Sequence, residues 1–327
     1  KIRMLLINPF FLLDGVYDLN KVLNNMWDIN EPLGLESIST YIIKELNEVE
    51  VEVYDANLLA TMEIFRTNKV DMESLFLMVE DKIKEYNPDV VGVSALFEFC
   101  GDIGLTFINL AKKISKDIIT IMGGAYASFS YESAFKCKNL DYIIKGEGED
   151  GAKQFIEYLL KRRRIEEVVG LIYREKNTLK INPSILIKDI NNIPPVSRNE
   201  KLMDTYVTRS QRVVSRYLGD GFVGRIASVM ATRGCQYKCA FCSTKELWGR
   251  TIRYREVDSV INEIKMLKDR FGVNVIRFDD DALFTNPEYS IDLLKKLKRE
   301  NIRWFGSPQI SVATETIIKL CIESGVV

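Results

Sequence analysis

Two consecutive α/β units of the parallel-sheet type are what this 327-residue sequence predicts. In the first half, short β-branched runs alternate with helical patterns, the signature of a sheet covered by helices. A second series of the same kind begins at Arg225, beyond a proline-bearing connector. Its first strand runs straight into a loop holding three cysteines.

Five segments of the first half read as strands: Arg3–Asn8, Val49–Tyr54, Val90–Ser94, Ile118–Met122 and Tyr142–Ile144. Leu33, Leu35, Ile38, Tyr41, Ile42 and Leu46 recur at helical spacing between the first two, and Met72, Leu75, Met78, Val79 and Ile83 between the next two. Gly101 to Ile114 and Gly151 to Leu160 supply two further crossover helices. The expectation is an open, doubly wound, five-stranded domain over 1–165. From 166 to 223 the pattern weakens into strand-like pieces and then Asn191-Asn-Ile-Pro-Pro-Val-Ser-Arg, read as a linker region. The second unit, 224–327, is predicted as strand Ile226–Ala231, helix Val257–Arg270, strand Val273–Phe278, helix Pro287–Arg299, a strand near Ile302–Phe305 and helix Thr314–Ser324. Such series normally continue until edges and faces are covered, so 224–327 reads as the N-terminal portion of a larger parallel fold.

Composition narrows the function classes. Lys plus Arg (45) nearly cancels Asp plus Glu (46), so no global field recruits nucleic acid or an anionic membrane surface. Apolar runs fall far short of the roughly 20 residues of a membrane span. Asn8 and Pro9 interrupt the apolar start, which favours a buried strand over a signal peptide. A cytoplasmic protein is expected. Six cysteines are too few for a disulfide scaffold, and the absence of histidine removes the commonest general base and nitrogen ligand.

Cys235, Cys239 and Cys242 therefore carry most of the chemical information. Soft thiolates at this spacing suit an iron–sulfur cluster or zinc. A structural zinc site closes with four ligands, and no fourth cysteine lies nearby. The run Arg233-Gly-Cys-Gln-Tyr-Lys-Cys-Ala-Phe-Cys, with its Cys-x3-Cys-x2-Cys spacing and an aromatic before the last cysteine, resembles the radical S-adenosylmethionine superfamily. Gln236 stands where many members carry Pro. The resemblance implies a [4Fe–4S] cluster on the three cysteines, whose open iron chelates the amino and carboxylate groups of S-adenosylmethionine. It also implies reductive cleavage to a 5′-deoxyadenosyl radical, with Phe241 beside the adenine. Asp280 and Asp281, at the end of the next strand, take by the same resemblance the place of the Gly-Gly-Glu segment that holds the amino group of S-adenosylmethionine; a helix cap is the alternative. Ser307 and Gln309 occupy a similar position after the third strand. Cys100, Cys137 and Cys321 read as small buried hydrophobes.

In the first unit, no Gly-x-Gly-x-x-Gly follows the first strand, where the chain reads Asn8-Pro-Phe-Phe-Leu-Leu-Asp-Gly. Instead Ser94-Ala-Leu96, Gly123-Gly124 and Gly146-Glu147-Gly-Glu149 follow the third, fourth and fifth strands, at the crevice side of the sheet. Ser-x-Leu followed after 26 residues by Gly-Gly resembles the cobalamin-binding domain of corrinoid enzymes. Pro32-Leu-Gly-Leu35, Gly123-Gly-Ala-Tyr126 and Asp141-Tyr-Ile-Ile-Lys-Gly-Glu147 extend the likeness to cobalamin-dependent radical S-adenosylmethionine proteins. The resemblance implies a Rossmann-like cobalamin domain followed by a partial TIM-barrel-like radical domain. Ser94, Leu96, Gly123, Gly124, Tyr126, Asn57, Gly146 and Glu147 are then the cobalamin candidates. Asn57 stands where related enzymes place the cobalt-ligating His of Asp-x-His-x-x-Gly, and Ala60 where they place its Gly, so cobalamin would bind base-off without a histidine ligand. Ordinary strand-to-helix turns explain the glycines equally when each is taken singly, and Glu147 with Glu149 also reads as a helix N-terminal pair.

The function so implied is methyl transfer to an unactivated carbon of a small molecule or peptide, with electrons from a flavodoxin- or ferredoxin-like donor. Alternatives are a rearrangement, cyclisation or ring contraction with the same cofactors, and a non-catalytic corrinoid-binding protein. A methylthiotransferase would need a further cysteine set in the first unit.

Overall fold

The computed structural model describes residues 1–11, 19–20, 29–176, 178–218 and 224–327, with backbone alone from 210 to 218. Residues 12–18, which include the end of the Asn8–Gly15 run, and the end of the expected linker, 219–223, lie outside the described residues. The chain divides into two compact units, Lys1–Asn24 with Pro32–Ile187, and Asn25–Glu31 with Lys188–Val327.

The first unit runs β1 (Ile2–Asn8), α1 (Leu33–Glu45), β2 (Val49–Asp55), α2 (Ala56–Thr67), α3 (Met72–Tyr86), β3 (Val90–Ser94), α4 (Glu98–Ile114), β4 (Ile119–Gly123), α5 (Ala125–Phe129), α6 (Tyr131–Ala134), β5 (Tyr142–Ile144), α7 (Gly148–Leu159), β6 (Leu171–Glu175) and β7 (Thr178–Ile181). Its described strands form one sheet in the order β2-β1-β3-β4-β5-β6-β7. The first five pair in parallel, in the doubly wound order whose switch point lies between β1 and β3. Side chains alternate across the sheet. Met4 and Leu6 meet Leu35 and Ile42 of α1 and Phe155 and Ile156 of α7 on one face, while Leu5 and Ile7 are buried on the other.

The expected five strands are present, and the sheet continues. The weak segment after 166 forms the hairpin β6–β7, which adds to β5 in antiparallel fashion. The first unit therefore closes at Ile187 rather than at 165. Most of the expected linker is structure: its first part edges this sheet, and α8 (Glu200–Leu218) belongs to the second unit.

In the second unit, β8 (Ile226–Val229) leads through β9 (Thr232–Arg233) to the cysteine loop, then α9 (Thr244–Trp248), β10 (Arg253–Tyr254), α10 (Val257–Phe271), β11 (Val275–Phe278), α11 (Pro287–Glu300), β12 (Arg303–Gly306) and α12 (Glu315–Glu323). Strands β12-β11-β8 form a parallel sheet, and β9 pairs antiparallel with β10. Leu267, Leu293, Leu294, Leu297 and Trp304 are buried, and Trp304 meets Phe278 and Phe284 edge-on. Arg198, almost wholly buried, pairs with Glu31 and Glu263, donates to the Ser228 carbonyl at 2.9 Å, and shares Glu263 with Arg255. Loss of one member strands buried charge at a cost of about 3–5 kcal/mol. This chain of charges ties the short segment ending at Glu31 to its own unit.

Candidate active site

The cysteine loop is framed by backbone before any cofactor is considered. Pairing of Arg233 with Arg253 and of Thr232 with Tyr254 closes its base. Gly234 turns the chain at φ +104°, where a Cβ would stand 2.5 Å from the Thr251 carbonyl oxygen, so only glycine fits. The Cys242 amide donates to the Cys239 carbonyl at 3.2 Å. The result is one cavity of about 150 Å³ lined by Cys235, Cys239 and Cys242 together with Phe241, Thr244, Asp281 and Gln309.

The adjacent carboxylates Asp280 and Asp281 face different tasks. Asp280 is 6% exposed and accepts from the amides of Ala231 and Thr232 and from the Thr232 hydroxyl, at 2.5 to 3.2 Å. Those bonds end β8 at Val229, short of the expected Ala231, and bend the chain into β9. Burial pushes the Asp280 carboxyl up to about 7 against the lowering effect of the same three donors. Asp281 lines the cavity and lies 3.4 Å from the Thr244 hydroxyl. Its carboxyl is also raised by burial, with Thr244 acting the other way. Of the expected pair, the structure brings Asp281 to the cysteines and assigns Asp280 to the loop's backbone.

Phe241 is 92% exposed and lines the cavity, as Gln309 does; Ser307 is exposed and does not line it. Tyr237 reaches Ser311 at 2.8 Å, joining the cysteine loop to the segment after β12. Thr244 was absent from the sequence-derived site, although its place two residues beyond the last cysteine was a usable signal. Among the described residues, no three His, Cys, Asp or Glu side chains converge on a single metal ion. Three thiols lining one cavity fit an iron–sulfur cluster, whose irons take thiolate ligands. Away from this loop, burial pushes the Cys100 thiol up to about 11 and raises that of Cys321 as well.

In the first unit, the predicted residues gather at the carboxyl ends of β2 to β5. Ser94 ends β3 and Gly123 ends β4. A Cβ on Gly123 would rest in ordinary contact, 3.8 Å from the Ile144 carbonyl oxygen, so the glycine spares that strand end the bulk of a side chain. Gly124, at φ +92°, lies so close to Ala95 that a Cβ would sit 2.4 Å from its carbonyl oxygen. Leu96 is 52% exposed, and beside it Phe97 and Phe99 stack at 5.2 Å with Phe11 edge-on to both. Strand ends edged by glycine, serine and exposed apolar side chains fit an inserted nucleotide tail and a flat macrocycle.

Four predicted residues turn elsewhere. Asn57, buried in α2, accepts from the Phe11 amide at 2.8 Å and so fixes the chain leaving β1. The Glu147 carboxylate accepts from the Ile187 amide at 2.7 Å, and the Gly146 amide donates to Ser128 Oγ at 3.0 Å. The Tyr126 ring packs so closely on Gly101 that a Cβ there would overlap it, and burial raises its hydroxyl.

Comparison with known proteins agrees with this division. The B12 binding domain family matches residues 28–156 and the Radical SAM superfamily matches residues 229–326. An uncharacterized methyltransferase of Pyrococcus horikoshii is 30% identical over 74% of this chain and 51% of its own. Cytidylyl-2-hydroxyethylphosphonate methyltransferase of Streptomyces wedmorensis is 26% identical over 90% of this chain and 59% of its own. The chain thus spans between half and three fifths of these relatives. The radical S-adenosylmethionine methyltransferase TsrM of Kitasatospora setae, solved with tryptophan substrate and a SAM analog, superposes with a TM-score of 0.74 at 18% identity, over 100% of this chain and 58% of its own. With a B12-binding domain preceding a radical S-adenosylmethionine domain, the chain belongs to the cobalamin-dependent radical S-adenosylmethionine family.

Proposed function

We propose that this chain forms the cofactor-bearing part of a methyltransferase acting on an unactivated carbon of a small molecule or peptide. The observation that carries the reading is the shared cavity of Cys235, Cys239, Cys242 and Asp281, in a chain whose other unit presents Ser94, Gly123 and the exposed Leu96 at its strand ends. The methyltransferase relatives support it.

When bound, the cluster, S-adenosylmethionine and cobalamin supply electron transfer, radical generation and methyl carriage. The residues hold and shield. Cys235, Cys239 and Cys242 would hold the cluster. The Asp281 carboxylate would accept from the amino group of S-adenosylmethionine, and the exposed Phe241 ring would cover its adenine. Asp280 fixes the loop from behind. Ser94 and Gly123 would leave room for the cobalamin tail, Gly124 fixes the turn against Ala95, and Leu96 would keep water from the macrocycle edge. With Asn57 turned onto the Phe11 amide, no side chain stands in for the cobalt-ligating histidine at that position.

Electrons would come from a flavodoxin- or ferredoxin-like protein in a reducing cytoplasm, where the six free cysteines remain unpaired. Among the described residues no helix is long and apolar enough to cross a membrane.

The test is anaerobic reconstitution with iron, sulfide and cobalamin, followed by dithionite and methyl-labelled S-adenosylmethionine. Label should leave S-adenosylmethionine, and 5′-deoxyadenosine or S-adenosylhomocysteine should accumulate. If 5′-deoxyadenosine forms while all label stays in methionine, the chemistry is a rearrangement or cyclisation. Absence of both nucleoside products would reduce the protein to a corrinoid binder.

A further inference from the structure

Thr244 stands between the two kinds of functional group in the cysteine cavity. Its hydroxyl oxygen is 3.2 Å from Cys242 Sγ and 3.4 Å from Asp281 Oδ1. All three residues line the same cavity. A threonine hydroxyl carries one proton, so it donates to one of these neighbours at a time. With iron bound, Cys242 is a thiolate and becomes an acceptor, which places the Thr244 proton between two anions.

We propose that Thr244 is a positioning residue that couples occupation of Asp281 to the reducibility of the iron–sulfur cluster. When Asp281 is free, its carboxylate competes for the hydroxyl proton. When the amino group of S-adenosylmethionine engages Asp281, its N–H donors satisfy that carboxylate, and the hydroxyl turns to Cys242. Hydrogen bonds to ligating sulfur stabilise the more negative, reduced state and raise the reduction potential. The cluster thus accepts an electron more readily when S-adenosylmethionine is in place. Reduction without a bound partner, which would waste electrons or invite oxidation, is disfavoured. The partial desolvation of Asp281, which raises its carboxyl, sharpens the competition because an unpaired carboxylate there gains more from each donor.

The inference rests on the reading that the three thiols hold a cluster and that Asp281 accepts the amino group. Its test is a redox titration of the reconstituted full chain followed by electron paramagnetic resonance, with and without S-adenosylmethionine. Wild type, Thr244→Val and Thr244→Ser are compared. In wild type the midpoint should rise when S-adenosylmethionine is added. Thr244→Val, which keeps shape and loses the hydroxyl, should show a smaller rise, and Thr244→Ser should restore it. Thr244→Ala replaces Val if the valine chain does not take up iron. An equal rise in wild type and in the hydroxyl-free variant overturns the coupling alone. A wild-type chain that shows no reduced-cluster signal overturns the cluster reading, and the coupling with it.

Discussion

The two candidate sites lie at the same structural address, the carboxyl ends of parallel strands, yet their residues divide differently between function and scaffold. In the cysteine loop, the predicted ligands share a cavity while neighbouring groups, Gly234 and Asp280, fix the backbone. In the β2–β5 crevice, several predicted contacts are themselves the backbone fixings: Gly124 against Ala95, Asn57 on the Phe11 amide, Glu147 on the Ile187 amide. A cluster needs side-chain donors presented at close range. A large organic cofactor needs space, and space is made by backbone geometry.

If that contrast holds, the largest effect comes from disturbing the backbone of the crevice. Gly124→Ala combines a conformation that L-residues rarely adopt with a Cβ placed 2.4 Å from a backbone oxygen. We expect a loss of about 3 kcal/mol or more in the unfolding transition of the first unit, read by urea titration followed by circular dichroism. Wild-type stability with lost cobalamin would instead make Gly124 a clearance residue and erase the contrast.

The next effect concerns the anchor behind the cysteine loop. An Asp280 carboxyl raised from 3.8 to about 7 on folding means that the folded chain keeps a proton that the unfolded chain has lost between those values. Stability therefore falls as pH rises from about 4 to about 7, by at most roughly 1.4 kcal/mol per pH unit, and levels off above. Asp280→Asn should remove this component. The wild-type-minus-variant curve isolates it from Glu31, which is also raised by burial and contributes in the same sense. A flat difference curve would mean that Asp280 stays ionised on its three donors. The anchoring role further predicts that Asp280→Asn lowers iron uptake, whereas Asp281→Asn keeps the iron and weakens S-adenosylmethionine binding.

The sequence revealed strands more readily than side-chain directions. β1, β3 and β4 are buried on both faces, so continuous apolar runs such as Val90-Val-Gly-Val mark them without ambiguity. The β6–β7 hairpin registers in the sequence only as strand-like pieces, because it is an antiparallel edge whose outer strand, Thr178 to Ile181, is short and largely exposed. Asp280 and Asp281 are chemically identical neighbours, and successive residues leaving a strand point to opposite sides. Only the structure tells which one meets the cavity and which meets Ala231 and Thr232. Asn57 illustrates the same limit: the sequence shows that a histidine is missing, not that its replacement holds Phe11.

The smallest stability effect should fall where the crevice offers a side chain rather than backbone. Leu96 is half exposed at the end of β3, so its truncation removes little buried area. Leu96→Ala should change unfolding free energy by less than about 0.5 kcal/mol, while reducing the cobalamin that stays with the protein through anaerobic gel filtration, measured by its visible absorbance. Gly124→Ala and Leu96→Ala then form a pair: the first loses cobalamin by losing the fold, the second by losing only a contact. A Leu96→Ala variant that retains full cobalamin would leave the crevice defined by backbone alone, with its apolar rim serving something other than the macrocycle.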